Sequence, residues 1–194
     1  LVGFSWGSTL AIYYAQQHAD RVRGILIGGV FLGSARETDY VENGELVQLV
    51  FPEAWERYIS ILSTKADLAH PAEAYQRKIR GDDGAREQTK ALRYYAEFES
   101  SIDRLYPRSR TDIAKTRSKT PKNRRAHYAK TGRIFHHYFE NNCFFPRDEY
   151  LLETRNMKKI AKIPVEIVQG HYDIVAPAIV AHQVHKKLPR SKLH

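Results

Sequence analysis

Gly3-Phe4-Ser5-Trp6-Gly7 is a G-x-S-x-G pentapeptide set between an apolar strand end and the start of a helical pattern. A serine on a hairpin-sharp strand-to-helix turn needs small flanking residues, because side chains there would collide with the turn, and it then projects its hydroxyl above the sheet. Ser5 is therefore the candidate nucleophile. The backbone N–H of Trp6, at the helix N-terminus, is the candidate oxyanion donor. The same five residues also suit a Gly-rich turn with no catalytic role. A serine nucleophile needs a base and the base an orienting carboxylate, which in hydrolases of this topology follow in the order Ser, Asp or Glu, His. Asp173 ends the turn Gly170-His171-Tyr172-Asp173 after a second apolar run, where a carboxylate reaches the same sheet edge as Ser5. It equally suits capping a helix that begins near Ala176. The histidine is the gap. Of nine His, His171 is too close to Asp173 to come from a separate strand, His182 and His185 fall on the helical pattern that follows, and His194 is the last residue. His182-x-x-His185 as a metal pair would need a third ligand and an open position, so no metal is expected.

The elements that must position these residues are legible in outline. Residues 9–18 place Leu10, Tyr13 and Tyr14 at helical spacing, and the apolar, Gly-bounded run 22–30 reads as a buried parallel strand, which completes a βαβ unit. From residue 37 to 146 the texture is charged and helical, with helices expected over 51–58, 71–79 and 85–102 and a loop at Gly81-Asp82-Asp83-Gly84. Residues 165–169 read as a second strand and 176–187 as a helix.

The 194 residues carry a net charge of +9 and are 42% hydrophobic, which is too apolar for a disordered chain and enough for one domain with an insertion. No stretch has the roughly 18 apolar residues that a membrane span needs. The lone Cys143 rules out an internal disulfide and suits a reducing, cytoplasmic setting. Residues 115–125 hold six basic residues and no acid; such a run is ordinarily a solvated loop, and without interleaved aromatics or a groove-fitting helix it does not imply a nucleic-acid partner.

Gly3-Phe4-Ser5-Trp6-Gly7-Ser8-Thr9-Leu10-Ala11, followed by Arg21-Val22-Arg23-Gly24 and Phe31-Leu32-Gly33, resembles the elbow region of the proline iminopeptidases, α/β-hydrolases that remove an N-terminal proline. The resemblance continues through Phe51-Pro52-Glu53-Ala54-Trp55-Glu56, Gly81-Asp82-Asp83, His137-Tyr138-Phe139, and Gly170-His171-Tyr172-Asp173-Ile174-Val175-Ala176-Pro177. It implies Ser5 as nucleophile, Asp173 as triad acid and a histidine beyond the C-terminal end of this chain, with the His-Gly-Gly-Pro-Gly oxyanion loop before Leu1. It also implies that glutamates on a helical cap bind the substrate amine. Glu99 matches one of them. The other falls on Phe135, so Glu97 or Glu140 would have to substitute. The frequent Cys of the family's Asp-x-x-Cys-Pro stretch is Ala176 here, so thiol sensitivity is not carried over.

The expected architecture is an α/β-hydrolase fold: a parallel-sheet core, incomplete here, from residues 1–36 and 147–194, interrupted by a helical cap over 37–146. The expected activity is release of N-terminal proline from small peptides without cofactor, metal, nucleic acid or membrane. An esterase or amidase of the same fold, and a noncatalytic binding module, are the alternatives. The chain opens without an initiator Met and reads as a piece of a longer protein, inactive alone for want of the base and half the oxyanion hole.

Overall fold

The computed structural model describes the backbone of residues 1–103 and 122–194, and their side chains except for 122–129. The basic run 115–125 lies outside the residues whose side chains are described. The chain forms two compact units, Leu1–Glu37 with Phe144–His194, and Thr38–Cys143.

The first unit is built on a parallel sheet of β1 (Val2–Ser5), β2 (Ile25–Val30), β3 (Val165–Val168) and β4 (Ser191–Leu193), in that spatial order. The β-branched residues of β2 and β3 suit strands covered by helices, whereas β1 and β4 are largely exposed. Ile25, Ile27, Val30, Val165 and Ile167 are all buried. Helix α1 (Trp6–Gln17) packs on β1 and β2, and the helix Ala178–Lys187 on β2 and β4. Ile12, Ala15, Ala181 and Val184 close the core between them. The helix expected from residue 9 begins at Trp6, since the turn at Ser5 passes directly into helical backbone; the one expected from Ala176 begins at Ala178, after Pro177 in extended conformation.

The second unit is helical among its described residues. Pro52–Ile59 and Pro71–Arg80 each start on proline, whose fixed φ and missing N–H suit the first helical position. Gly81, at φ 103°, ends the latter by donating its N–H to the Arg77 and Lys78 carbonyls. The helix Ala85–Ile102 buries Ala91, Leu92, Tyr95, Phe98 and Ile102, a stripe at helical spacing. Its core is aromatic. Tyr58 stacks on Tyr75 at 4.0 Å and on Phe98 at 4.2 Å between ring centres, and the Tyr75 hydroxyl donates to the Tyr58 carbonyl at 2.7 Å.

Candidate active site

Ser5 stands where β1 passes into α1, with φ 52° and ψ −125°, a backbone conformation that costs a non-glycine residue about 1–3 kcal/mol and persists only where the surroundings enforce it. Two features of the sequence enforce it. A Cβ on Gly3 would lie 2.0 Å from the Gly7 carbonyl oxygen, so the chain folds back on itself within four residues only because position 3 has no side chain. Ser8 and Thr9 then tie the turn to the end of β2: Ser8 Oγ donates to the Ser5 carbonyl at 2.6 Å and accepts from Phe31 N–H at 3.0 Å, and Thr9 Oγ1 donates to the Phe31 carbonyl at 2.6 Å. The steric demand is one-sided. A Cβ on Gly7 meets no described atom within 4 Å, contrary to the expectation that both flanking positions must be small.

Gly3→Ala is accordingly expected to destabilise the fold by about 3 kcal/mol or more, at or above the upper end of overpacking costs. Gly7→Ala should be neutral or stabilising by up to about 1 kcal/mol, since alanine is the better helix former. Thermal denaturation of the two variants in the full-length protein checks the contrast, and equal losses would remove the account of the turn.

The strand beside Ser5 carries a matching irregularity. Phe4 pairs with Gly28 but Ser5 pairs with Val30, so Gly29, at φ 48°, is the extra residue of a bulge. The position of a Gly29 Cβ lies 3.7 Å from Asp173 Oδ2 and 3.9 Å from the Ser5 backbone nitrogen. The carboxylate of Asp173 and the turn carrying Ser5 therefore flank the same bulge. Asp173 Oδ1 accepts from Ala176 N–H at 2.8 Å, two residues before the helix Ala178–Lys187 begins, so this carboxylate oxygen holds the loop rather than capping the helix. Gln169 fixes the same loop: its Oε1 accepts from Val30 N–H at 2.8 Å and its Nε2 donates to the Ala176 carbonyl at 2.8 Å. Sequence reasoning passed over this glutamine, because nothing in its local pattern marks a side chain that bridges two strand ends.

Trp6 is the first residue of α1, so its backbone N–H lies in the first turn, directly after Ser5. Its ring tilts against Phe31 at 6.4 Å. Among the described residues no histidine hydrogen-bonds to Ser5 or Asp173. His185 Nδ1 lies 2.8 Å from Ser191 Oγ, His194 Nε2 lies 2.6 Å from Glu166, and the His171 ring meets Tyr172 edge-on.

In the helical unit, Glu99 lines a cavity of about 180 Å³ together with Leu92, Tyr95, Thr131 and Phe135. Loss of water around its carboxyl pushes Glu99 up to about 7, although part of the side chain is open to solvent; Asp103 adds to the rise and the Tyr95 hydroxyl opposes it. The substitutes considered for the missing glutamate are engaged elsewhere. Glu97 pairs with Arg57 at 2.5 Å and Glu140 pairs with Arg80. Glu42, which no sequence signal marks, is a further carboxyl within electrostatic range of Glu99. It is 3% exposed, accepts from the Tyr95 hydroxyl at 3.3 Å, and is pushed up to about 8 by burial and then by the Glu99 charge.

The description of the alpha/beta hydrolase fold matches the chain from residue 1 to 194. The chain belongs to this family. Among curated relatives, it is 33% identical over 191 residues to the proline iminopeptidase of Arabidopsis thaliana, covering 98% of this chain and 47% of that protein. It is 35% identical over 195 residues to the probable proline iminopeptidase of Leptolyngbya boryana, and 31% identical over 195 residues to the proline iminopeptidase of Neisseria gonorrhoeae, covering 98% of this chain in both and 56% and 57% of those proteins. The chain spans about half the length of the curated relatives it matches. Among the described residues, no helix is long and apolar enough to cross a membrane.

Proposed function

We propose that the full-length protein is a cytoplasmic serine exopeptidase that releases proline from the N-terminus of small peptides. The observation that carries the reading is the left-handed backbone of Ser5 on a turn whose neighbouring bulge also faces Asp173. Ser5 Oγ attacks the prolyl carbonyl, and a histidine outside these 194 residues takes the hydroxyl proton while Asp173 orients its ring. The oxyanion of the tetrahedral intermediate accepts from Trp6 N–H. Collapse expels the amine of the next residue, protonated by the same histidine, and water then hydrolyses the prolyl ester on Ser5. The relatives named proline iminopeptidase support the choice of substrate. Glu99 supports it too, since a substrate amine taken out of water needs a carboxylate partner.

Phe135 favours a second reading. An aromatic ring lines the cavity where the resemblance expects a carboxylate, which suits an esterase or amidase acting on uncharged substrates. Comparing hydrolysis of proline β-naphthylamide with that of p-nitrophenyl acetate separates the two. The peptidase reading expects the higher kcat/KM on the proline amide; turnover of the ester alone would replace it with the second reading, and turnover of neither would favour a noncatalytic binding module.

A further inference from the structure

Tyr95 is the centre of a buried polar cluster that the mechanism at Ser5 does not use. Its hydroxyl donates to Glu42 Oε1, its ring meets His136 edge-on at 4.3 Å between centres, and Tyr58 stands 6.5 Å away, centre to centre. Glu42 Oε2, the Tyr58 hydroxyl and both ring nitrogens of His136 are buried and find no hydrogen-bond partner among the described residues. Folded proteins satisfy nine-tenths or more of such groups, so four orphaned polar atoms around one tyrosine mark a place built for something other than packing. Tyr95 and Glu99 lie one helical turn apart on one face of Ala85–Ile102 and both line the cavity, whereas Glu42 sits behind the Tyr95 hydroxyl.

Charges set what this cavity accepts. The titratable groups around the two carboxyls are Tyr58 on Pro52–Ile59, Tyr75 on Pro71–Arg80, Tyr95 and Asp103 on or just after Ala85–Ile102, and His136 on Lys122–Glu140. Burial keeps the Tyr58 and Tyr95 phenols neutral and pushes His136 down to about 3, so it is neutral as well. Among the described residues neither Glu42 nor Glu99 has a basic partner. Two carboxyls in mutual range without a cation cannot both ionise cheaply, and the proton they retain is the natural thing for an arriving cation to displace.

We propose that Glu42 is the second carboxyl of this site: coupled to Glu99 through the Tyr95 hydroxyl, it keeps a proton in the absence of ligand and releases it to solvent when an organic secondary ammonium group, the charge of an N-terminal proline, binds at Glu99. Glu42 is a positioning residue that adds charge behind Glu99 and does not touch the reacting atoms. The inference rests on the reading of the cavity as the amine site.

The sign of the pH dependence follows. Burial raises both carboxyls above the ordinary carboxylate range, Glu99 to about 7 and Glu42 to about 8, so protons compete with a bound cation increasingly as the pH falls through that range. Affinity for a permanently charged ligand therefore rises with pH, by up to about tenfold per pH unit for each proton released. Pyrrolidinium, which stays charged across this range, is titrated calorimetrically into the full-length protein from pH 6 to 9. For the wild type, affinity is expected to climb through pH 7 and level only near 8, with a proton released to the buffer. In Glu42→Gln it should level near 7, leaving binding at pH 8.5 weaker by about fivefold or more, as for loss of a nearby opposite charge. Tyr95→Phe keeps both carboxyls but removes the bridge, and adding Glu42→Gln to it should cost less than Glu42→Gln alone.

A Glu42→Gln curve that superimposes on the wild type overturns the inference. If Glu42→Gln does not fold, the wild-type curve decides: levelling at pH 7, or no pyrrolidinium binding, overturns it. Hydrolysis of proline amides with a wild-type curve that levels at 7 removes this inference and leaves the peptidase reading. The expected curve in a protein that cleaves no proline amide does the reverse.

Discussion

Ser5→Ala in the full-length protein is expected to lower kcat on proline β-naphthylamide by about 10⁴-fold or more, the usual consequence of removing a triad nucleophile. The fold should survive. The serine hydroxyl makes no hydrogen bond to a described residue, and the turn is held by Gly3, Ser8 and Thr9 through the backbone, so alanine at position 5 inherits the same strained φ without losing a tie. Circular dichroism and melting temperature close to those of the parent, with activity gone, are the expected pair of results. A variant keeping more than about a tenth of the parent kcat would show that another group attacks the carbonyl.

Glu99→Gln carries the second large effect. A proline amine is cationic near neutral pH, and enclosing it strips its water, so the site must supply negative charge or lose the binding energy. With Glu97 and Glu140 occupied by arginines, and Glu42 reaching the cavity only through Tyr95, Glu99 is the carboxylate that lines it. Breaking a charge-assisted pair costs about 2–5 kcal/mol, so kcat/KM for proline amides should fall at least about thirtyfold. p-Nitrophenyl acetate offers no cation, and the loss on it should be smaller by at least about tenfold. Equal losses on both substrates would make Glu99 structural, and no loss on either would favour the esterase reading.

The parts of this molecule that depend on local pattern are legible in the sequence. The stripe Leu92, Tyr95, Phe98, Ile102 repeats at helical spacing, and the helix runs over the expected residues 85–102. Ile25–Val30 is a buried parallel strand because it is apolar and bounded by glycine, and the pentapeptide at Ser5 does form a strand-to-helix turn. What escaped depends on tertiary approach. The bulge at Gly29 exists only relative to β1, and the demand for glycine falls on position 3 and not on 7 because of the direction in which the chain folds back. Glu42 is one acid in a charged stretch, with nothing around it in sequence to separate a solvated carboxyl from one enclosed by Tyr95 and Tyr58. Gln169 likewise gains its role from two partners, one of them 139 residues away in the chain.

The central claim is that Ser5 is a nucleophile activated by its surroundings, and a fluorophosphonate probe tests it without assuming any substrate. Only a serine with a working base and oxyanion hole reacts readily with such a probe. The full-length protein should take up one equivalent, with the added mass mapped by tandem mass spectrometry to Ser5, and Asp173→Asn should slow the labelling by orders of magnitude, since the base loses its orienting carboxylate. A protein that stays unlabelled, or carries the probe on another residue, contradicts the account.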